Sequence, residues 1–150
     1  RQDGRAIYKK VREELSLIKF EILGQPIAKQ RPRVTRQGIA YTPSKTVNYE
    51  AVVKYTYQSF FGHREPILGH IEAYITAIFP IPKSYSKKKT AELLSGHHNY
   101  DKKPDCDNLA KIILDALNGI AYKDDSQVTV LHIAKEYGTQ PKVIVELKEI

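Results

Sequence analysis

The chain has 150 residues, 41% of them hydrophobic, and its 24 Lys and Arg outnumber its 17 Asp and Glu to give a formal net charge of +7. This length suits one domain with a single core. No apolar stretch approaches the ~18 residues that cross a bilayer, and the first residues lack the apolar segment of a signal peptide, so no membrane partner is expected. The lone Cys106 cannot form an internal disulfide, which fits a reducing cytoplasm. The basic balance favours a polyanionic partner such as nucleic acid.

The first half of the chain predicts a strand, a small hairpin and a long helix. Residues 17–23 alternate apolar and polar side chains, which is the pattern of a strand. Gly38 lies between two short extended segments, which predicts a hairpin over residues 34–41. The Thr-Pro-Ser run at 42–44 starts a helix that continues to about residue 61. One side of this helix is formed by Val47, Ala51, Val52 and Tyr55.

The second half predicts a long strand, two helices and two closing strands. Residues 70–79 are rich in strand-forming residues, whereas residues 84–94 predict a short exposed helix. Apolar residues at i, i+3, i+4, i+7 and i+8 predict an amphipathic helix that starts near Asp107. Strands at 127–137 and 142–147 complete the order β-β-β-α-β-α-α-β-β. The predicted fold class is therefore α+β, with helices packed against a mixed β-sheet in a single domain.

Basic residues concentrate in two segments that are candidates for phosphate contacts. The first runs from residue 29 to residue 45 and contains no acidic residue, and the second lies in the short exposed helix. Lys and Arg hold DNA phosphates without reading sequence, although a solvated surface is an equally common reason for such runs. The candidate DNA-binding residues are Lys29, Arg31, Arg33, Arg36, Lys45, Lys87, Lys88 and Lys89.

Acidic residues gather in three motifs between residues 105 and 127. The motifs are Asp-Cys-Asp-Asn-Leu-Ala-Lys at 105–111, Asp-Ala-Leu at 115–117 and Asp-Asp-Ser-Gln at 124–127. In an extended segment Asp105 and Asp107 point the same way. On the helix that follows, Asp107, Lys111 and Asp115 lie one turn apart along one edge. Carboxylates from separate elements, together with phosphate oxygens, suit a hard divalent cation. The motifs therefore predict metal-dependent phosphodiester hydrolysis on nucleic acid.

Each of these residues also has an ordinary structural explanation. Asp107 is an acceptable helix N-cap, the pair Asp124 and Asp125 is more often a turn, and a single Lys111 is usually a surface lysine. Asp115 is left out of the predicted site because an acid inside a helix commonly forms a salt bridge. These alternatives stay open on the residues alone.

The motifs resemble those of the RusA family of Holliday-junction endonucleases in both order and spacing. The family core runs Asp-x-Asp-Asn-Leu-x-Lys, Asp-Ala-Leu and Asp-Asp-x-Gln. The resemblance extends to Gly-Gln-Pro at 24–26, Lys-Gln-Arg-Pro-Arg at 29–33 and Phe-Pro-Ile-Pro at 79–82. It covers nearly the whole chain from about residue 20. Residues 17–150 are therefore assigned to an endonuclease domain, and residues 1–16, which have no counterpart, to an N-terminal extension or tag remnant.

The resemblance implies residue roles, a cofactor and partners. Asp105, Asp107 and Asp125 would bind the metal and act in catalysis together with Lys111, and Asp124 would ligate the metal or support a ligand. The implied cofactor is Mg²⁺, with Mn²⁺ as a substitute. The implied partners are four-way junction DNA and a second copy of the chain, since a two-fold homodimer supplies the two equivalent sites that paired nicks require.

The predicted function is magnesium-dependent resolution of Holliday junctions by paired symmetric nicks, in DNA recombination and repair. Leu114, at the border of the polar edge of its helix, is a candidate contact between the two copies. Two alternatives stay open: a metal-dependent nuclease of other branched DNA or of RNA, and a non-catalytic DNA-binding module whose acids only cap a helix. A binding module has no need of negative charge clustered against phosphate, so the acids favour an enzyme.

Overall fold

The centre of the fold is a mixed four-stranded sheet, seen in a computed structural model that describes residues 3–7, 17–96 and 98–150. The order across the sheet is β1 (Leu17–Leu23), β6 (Lys142–Glu149), β4 (Ile71–Pro80) and β5 (Val128–Gly138). β1 and β4 both pair antiparallel with β6, and β5 pairs parallel with β4. The predicted mixed sheet in an α+β domain is confirmed, with β1 and β5 at its edges.

One face of this sheet forms the core. Because side chains alternate along a strand, every second residue over most of β1, β4 and β6 is buried on this face. The buried strand residues are Ile18, Phe20, Ile22, Ile71, Ala73, Ile75, Ala77, Phe79, Val143, Val145 and Leu147. Each large side chain buried in this way stabilises the fold by about 1.5–3 kcal/mol relative to exposure. The opposite face keeps half-exposed and exposed residues such as Glu72, Tyr74 and Ile144.

The long predicted helix is α1 (Ser44–Phe61), and it packs on the core face through an unexpected stripe. Its buried residues are Thr46, Tyr49, Val53 and Tyr57. The Tyr57 ring meets Phe20 of β1 edge-on, with 5.5 Å between ring centroids. Residues on the apolar side seen in the sequence, such as Val52 and Tyr55, are exposed instead. Aromatic contacts with the sheet, rather than aliphatic content, therefore decide which side of α1 is buried.

The connection from β4 to β5 carries two further helices, α2 (Lys87–Leu94) and α3 (Cys106–Ala116). Ser86 caps α2 by accepting a hydrogen bond of 3.1 Å from the Lys89 backbone N–H, and no residue of α2 is buried. The apolar stripe predicted for α3 is buried, as Leu109, Ile112, Ile113 and Ala116, with Leu117 just beyond the helix. The predicted order of strands and helices is thereby confirmed.

The predicted hairpin is also present. β2 (Arg33–Val34) and β3 (Ala40–Tyr41) pair antiparallel outside the main sheet, and Gly38 makes the turn with a φ of 82°, a conformation that favours glycine. Of the extension predicted at residues 1–16, the structure describes only 3–7, with a helical segment at 4–7; the remainder lies outside the described residues.

Among the residues that the structure describes, no helix combines the length and the apolar character that crossing a membrane would require.

Candidate functional site

The acidic motif at the start of α3 is not used to cap the helix. Asp105 occupies the N-cap position with extended backbone angles, φ −72° and ψ 151°, yet its side chain makes no capping hydrogen bond. It instead accepts hydrogen bonds of 2.9 and 3.1 Å from the exposed Lys103 ammonium. That hydrogen bond and the charge of Lys103 hold the pKa of Asp105 below its usual value. The carboxylate is therefore ionised and accessible.

Asp107 and Lys111 follow on the exposed edge of α3. Both are exposed, and within the described part of the chain neither side chain has a hydrogen-bond or ion-pair partner. Asp107 lies in the first turn, where the helix dipole favours a negative charge. The buried stripe of α3 faces the opposite way, so this edge carries a carboxylate and an ammonium one turn apart that are free to meet a ligand.

Asp115, which the sequence argument left out, lies one further turn along the same edge and is only half exposed. The Lys29 ammonium lies 3.3 Å from Asp115 and also binds Glu50 of α1. The Lys29 backbone N–H donates to the Asn108 carbonyl at 3.0 Å, which fixes this segment against α3. Lys29, predicted as a DNA contact, is thus engaged by two carboxylates and ties α1 to α3.

Asp125 meets the far end of α3 rather than its start. It begins a 3₁₀ turn (Asp125–Gln127), and its backbone N–H donates to the Asn118 side-chain oxygen at 2.8 Å. Its carboxyl group lies beside that of Asp115. Burial, the adjacent Asp115 carboxyl group and the charge of Asp124 raise the pKa of Asp125. From Asp107 to Asp115 the helix rises by about 12 Å, so the structure joins Asp125 to Asp115 and not to Asp107.

Asp124 has a local structural role. Its side chain accepts from the Ser126 backbone N–H at 3.1 Å, and the Gln127 side-chain oxygen accepts from the Asp124 backbone N–H at 3.0 Å, which forms a capping box. Gln127 also donates to the carbonyl oxygens of Ile67 at 2.7 Å and Gly69 at 3.0 Å. The Asp-Asp-Ser-Gln motif thus holds its turn in shape and anchors it to the loop before β4, which leaves Asp125 to face α3.

Lys135 of β5 holds the loop that leads into α3. Its ammonium donates to the carbonyl oxygens of Lys102 at 2.7 Å and Pro104 at 2.9 Å, on the two sides of Lys103. Tyr100, in the same loop, stacks on Phe79 with 4.0 Å between ring centroids. Hydrogen bonds from a charged donor are among the stronger ones in proteins, so Lys135 fixes the backbone directly before Asp105. Sequence reasoning missed this residue because nothing local marks it.

The carboxylates fit a hard divalent cation in chemistry, since oxygen ligands are those that Mg²⁺ prefers. Asp105 and Asp107 are exposed, and neither is consumed by a helix cap. Across residues 3–7, 17–96 and 98–150, however, no group of three or more His, Cys, Asp or Glu side chains is gathered closely enough to hold an ion. The predicted ligands are present but lie at the two ends of one helix edge.

Exposed basic residues lie on and before the hairpin, at the start of α1 and on α2. Arg33 and Arg36 belong to the hairpin, while Arg31 precedes it and Lys45 starts α1. The three adjacent lysines of α2, Lys87, Lys88 and Lys89, are likewise exposed. The Lys89 ammonium lies 3.9 Å from the centroid of the Tyr85 ring. Except for Lys29, the predicted phosphate contacts are available to a polyanion.

Comparisons with known proteins agree with the resemblance seen in the sequence. The family model described as "Endodeoxyribonuclease RusA" matches residues 24–148. "Uncharacterized protein YqaN" of Bacillus subtilis (strain 168) is 36% identical over 143 residues, which cover 91% of this chain and 99% of that protein. The chain therefore belongs to the RusA family of endodeoxyribonucleases.

Proposed function

We propose that this protein is a magnesium-dependent, structure-selective endonuclease that resolves Holliday junctions by paired nicks, in DNA recombination and repair. The observation that carries the proposal is the edge of α3, where Asp105 and Asp107 are exposed and uncapped and Lys111 has no partner in the described residues. A helix that needed these acids only for its own stability would use one of them as a cap. Their availability supports a role toward a ligand.

In this proposal Asp105 and Asp107 would hold the metal, whereas Asp125, the third predicted ligand, lies beside Asp115 at the far end of the same helix edge. A bound Mg²⁺ supplies a Lewis acid that polarises the scissile phosphate. Lys111 donates to a phosphate oxygen on which charge grows as water displaces the leaving oxygen, and so stabilises the transition state. Lys135 and Lys103 prepare Asp105 for this role. Lys135 fixes the backbone before Asp105, and Lys103 lowers the pKa of the Asp105 carboxyl group and so keeps it ionised.

The basic residues then position the junction arms. Arg31, Arg33 and Arg36 have no ion-pair partner among the described residues, so phosphates meet no competing carboxylate there. Such contacts orient DNA without reading its sequence. Selection of four-way junctions would then rest on the shape of the junction and on the spacing of two active sites.

Two sites require a homodimer, for which the open face of the main sheet is the better surface. It combines Ile144, Ile78 and Tyr74 with ion pairs such as Lys19–Glu146, whose N–O distance is 3.1 Å. Leu114, the predicted contact, instead packs partly against the core. An isologous pairing of this face would relate the two copies by a two-fold axis.

The decisive experiment incubates the protein with a labelled mobile four-way junction, with and without Mg²⁺. The expected result is symmetric nicking of opposing strands with Mg²⁺ only. A cruciform plasmid should become linear by two near-simultaneous nicks, and sedimentation equilibrium should give a dimer at micromolar concentration. Equal cutting of flaps or RNA would instead favour a broader nuclease, and junction binding without cleavage in any metal would favour a binding module.

A further inference from the structure

A cleft of about 500 Å³ lies directly beside the start of α3. Its lining comes from the segment after β1, the first turn of α1, the end of β4 and the loop before α3. The apolar part of the lining consists of Pro26, Ile27, Ala28, Phe79 and Pro104. This volume is in the range of small-ligand sites, which are typically about 300–1,000 Å³.

The polar part of the lining is cationic and rich in amides. Lys45 and Lys103 are exposed lysines, and Gln25 and Gln30 supply side-chain amides. Lys29 also contributes to the lining, but its ammonium is engaged by carboxylates. The Gln30 backbone N–H donates to the buried Thr46 hydroxyl at 3.1 Å, which anchors the segment to α1. The cleft thus combines a fixed apolar wall, hydrogen-bonding amides and the positive charge of Lys45, which is unpaired among the described residues.

The position of the cleft relates it to the proposed chemistry. Lys103 and Pro104 immediately precede Asp105, and the Lys103 ammonium binds the Asp105 carboxylate at 2.9 Å. A group in the cleft would therefore lie next to a proposed metal ligand. A nucleotide matches the lining, because its base has apolar faces and a polar edge and its phosphate is negative.

We propose that the cleft takes one nucleobase, unstacked from the strand beside the scissile phosphate. The base contacts Ile27, Ala28 and Pro104, its edge meets Gln25 or Gln30, and the flanking phosphate meets Lys45. Unstacking is least costly where pairing is already interrupted, as at a branch point, so the cleft would help to fix where a junction is cut. This inference rests on the proposed function and adds a determinant of the cleavage position.

The test combines removal of single bases with a change in the cleft. Junctions with an abasic residue at each position near the branch point are bound to the wild-type protein in EDTA, and to Ala28→Leu, which fills the cleft. Ala51→Leu, at an exposed position of α1 outside the cleft, is the matched control. At one position, base removal should weaken binding to the wild type and to the control by roughly tenfold, the scale of one base contact.

For Ala28→Leu the same base removal should have almost no further effect, since the base is already excluded. Ala28→Val should be intermediate, and it keeps the test valid if the Leu variant fails to fold. Base removal without effect at every position, or an equal effect in all variants, overturns the proposal. The proposed function fails separately, if the wild-type protein does not cut the unmodified junction with Mg²⁺. A wild-type protein that cuts but shows no base dependence refutes the cleft alone, and one that does not bind the junction refutes both.

Discussion

Replacing Lys29 with Met distinguishes a phosphate contact from a structural cation. Lys29 binds the carboxylates of Glu50 and Asp115. The exposed fractions of the three side chains are 21% for Lys29, 20% for Glu50 and 25% for Asp115. Met keeps most of the aliphatic stem but leaves the two acids without their shared cation. Removing one partner of a buried ion pair costs about 3–5 kcal/mol, whereas an exposed pair contributes about 0–1 kcal/mol. For this partly exposed network we expect a loss of about 2 kcal/mol in the free energy of unfolding.

The loss should depend on pH in a defined direction. Burial by itself lowers the pKa of the Lys29 ammonium, but the hydrogen bonds and charges of Glu50 and Asp115 outweigh burial and raise that pKa. A raised folded-state pKa means that the stabilisation is complete below the usual lysine value of 10.5 and is lost as the pH rises through the folded value. The stability difference between wild type and Lys29→Met should therefore narrow above pH 10.5.

Urea unfolding followed by circular dichroism measures the stability, and junction binding at several salt concentrations counts phosphate contacts. Arg31→Met is the matched control, because Arg31 is exposed and unpaired within the described residues. It should change stability by less than ~0.5 kcal/mol and flatten the slope of log affinity against log salt by about 0.9. Lys29→Met should lower the free energy of unfolding by about 2 kcal/mol and leave the salt slope unchanged. If Lys29→Met is as stable as the wild type and flattens the slope by about one, Lys29 contacts phosphate and the network argument is refuted.

Four further outcomes test the site. Asp107→Asn should abolish most cleavage with Mg²⁺ while junction binding is kept or strengthened; wild-type cutting would exclude Asp107 as a ligand. Lys111→Ala should lower the single-turnover rate at least ~100-fold with little change in affinity, and a loss of affinity alone would make it a phosphate contact. Lys135→Met should lower cleavage and weaken Mg²⁺ binding, and Lys135→Arg should restore part of both; an unchanged rate in Lys135→Met would show that the loop needs no such anchor. Asp115→Asn removes a carboxyl group that helps to raise the pKa of Asp125, so cleavage should persist to lower pH than in the wild type, measured as a pH–rate profile; an unmoved acid limb would show that Asp125 does not set it.

The elements that follow a regular pattern were predictable from sequence. The alternation in β1 and the apolar spacing in α3 arise from local geometry, and the structure buries the residues that those patterns select. The same holds for the hairpin turn at Gly38. α1 was predictable in extent but not in orientation, because its buried stripe contains Thr46 and two tyrosines while aliphatic residues such as Val52 are exposed. The buried side of α1 is decided by contacts with the sheet, and no local sequence pattern of α1 specifies those contacts.

The candidate site also has parts that follow from local sequence patterns and parts that do not. The exposure of Asp107 and Lys111 follows from the helix edge they share, which the sequence predicts, and Asp105 directly precedes that helix. The partnership of Asp115 with Lys29 joins two segments far apart in the chain and has no local signal. The cap formed by Asp124 did have a local signal in the sequence, since Asp-x-x-Gln matches a capping-box pattern.

The connection between β4 and β5 ties the formation of the site to the formation of the sheet. α2, α3 and the 3₁₀ turn lie between two strands that pair in parallel, and the Gln127 side chain reaches back 60 positions to the Ile67 carbonyl. Contacts between such distant segments form late and slow folding. Amide hydrogen exchange in α3 should then report global unfolding rather than local opening, whereas the hairpin of β2 and β3 should exchange through small local fluctuations. The exposed edge of α3 would thus form only in molecules that have completed their sheet.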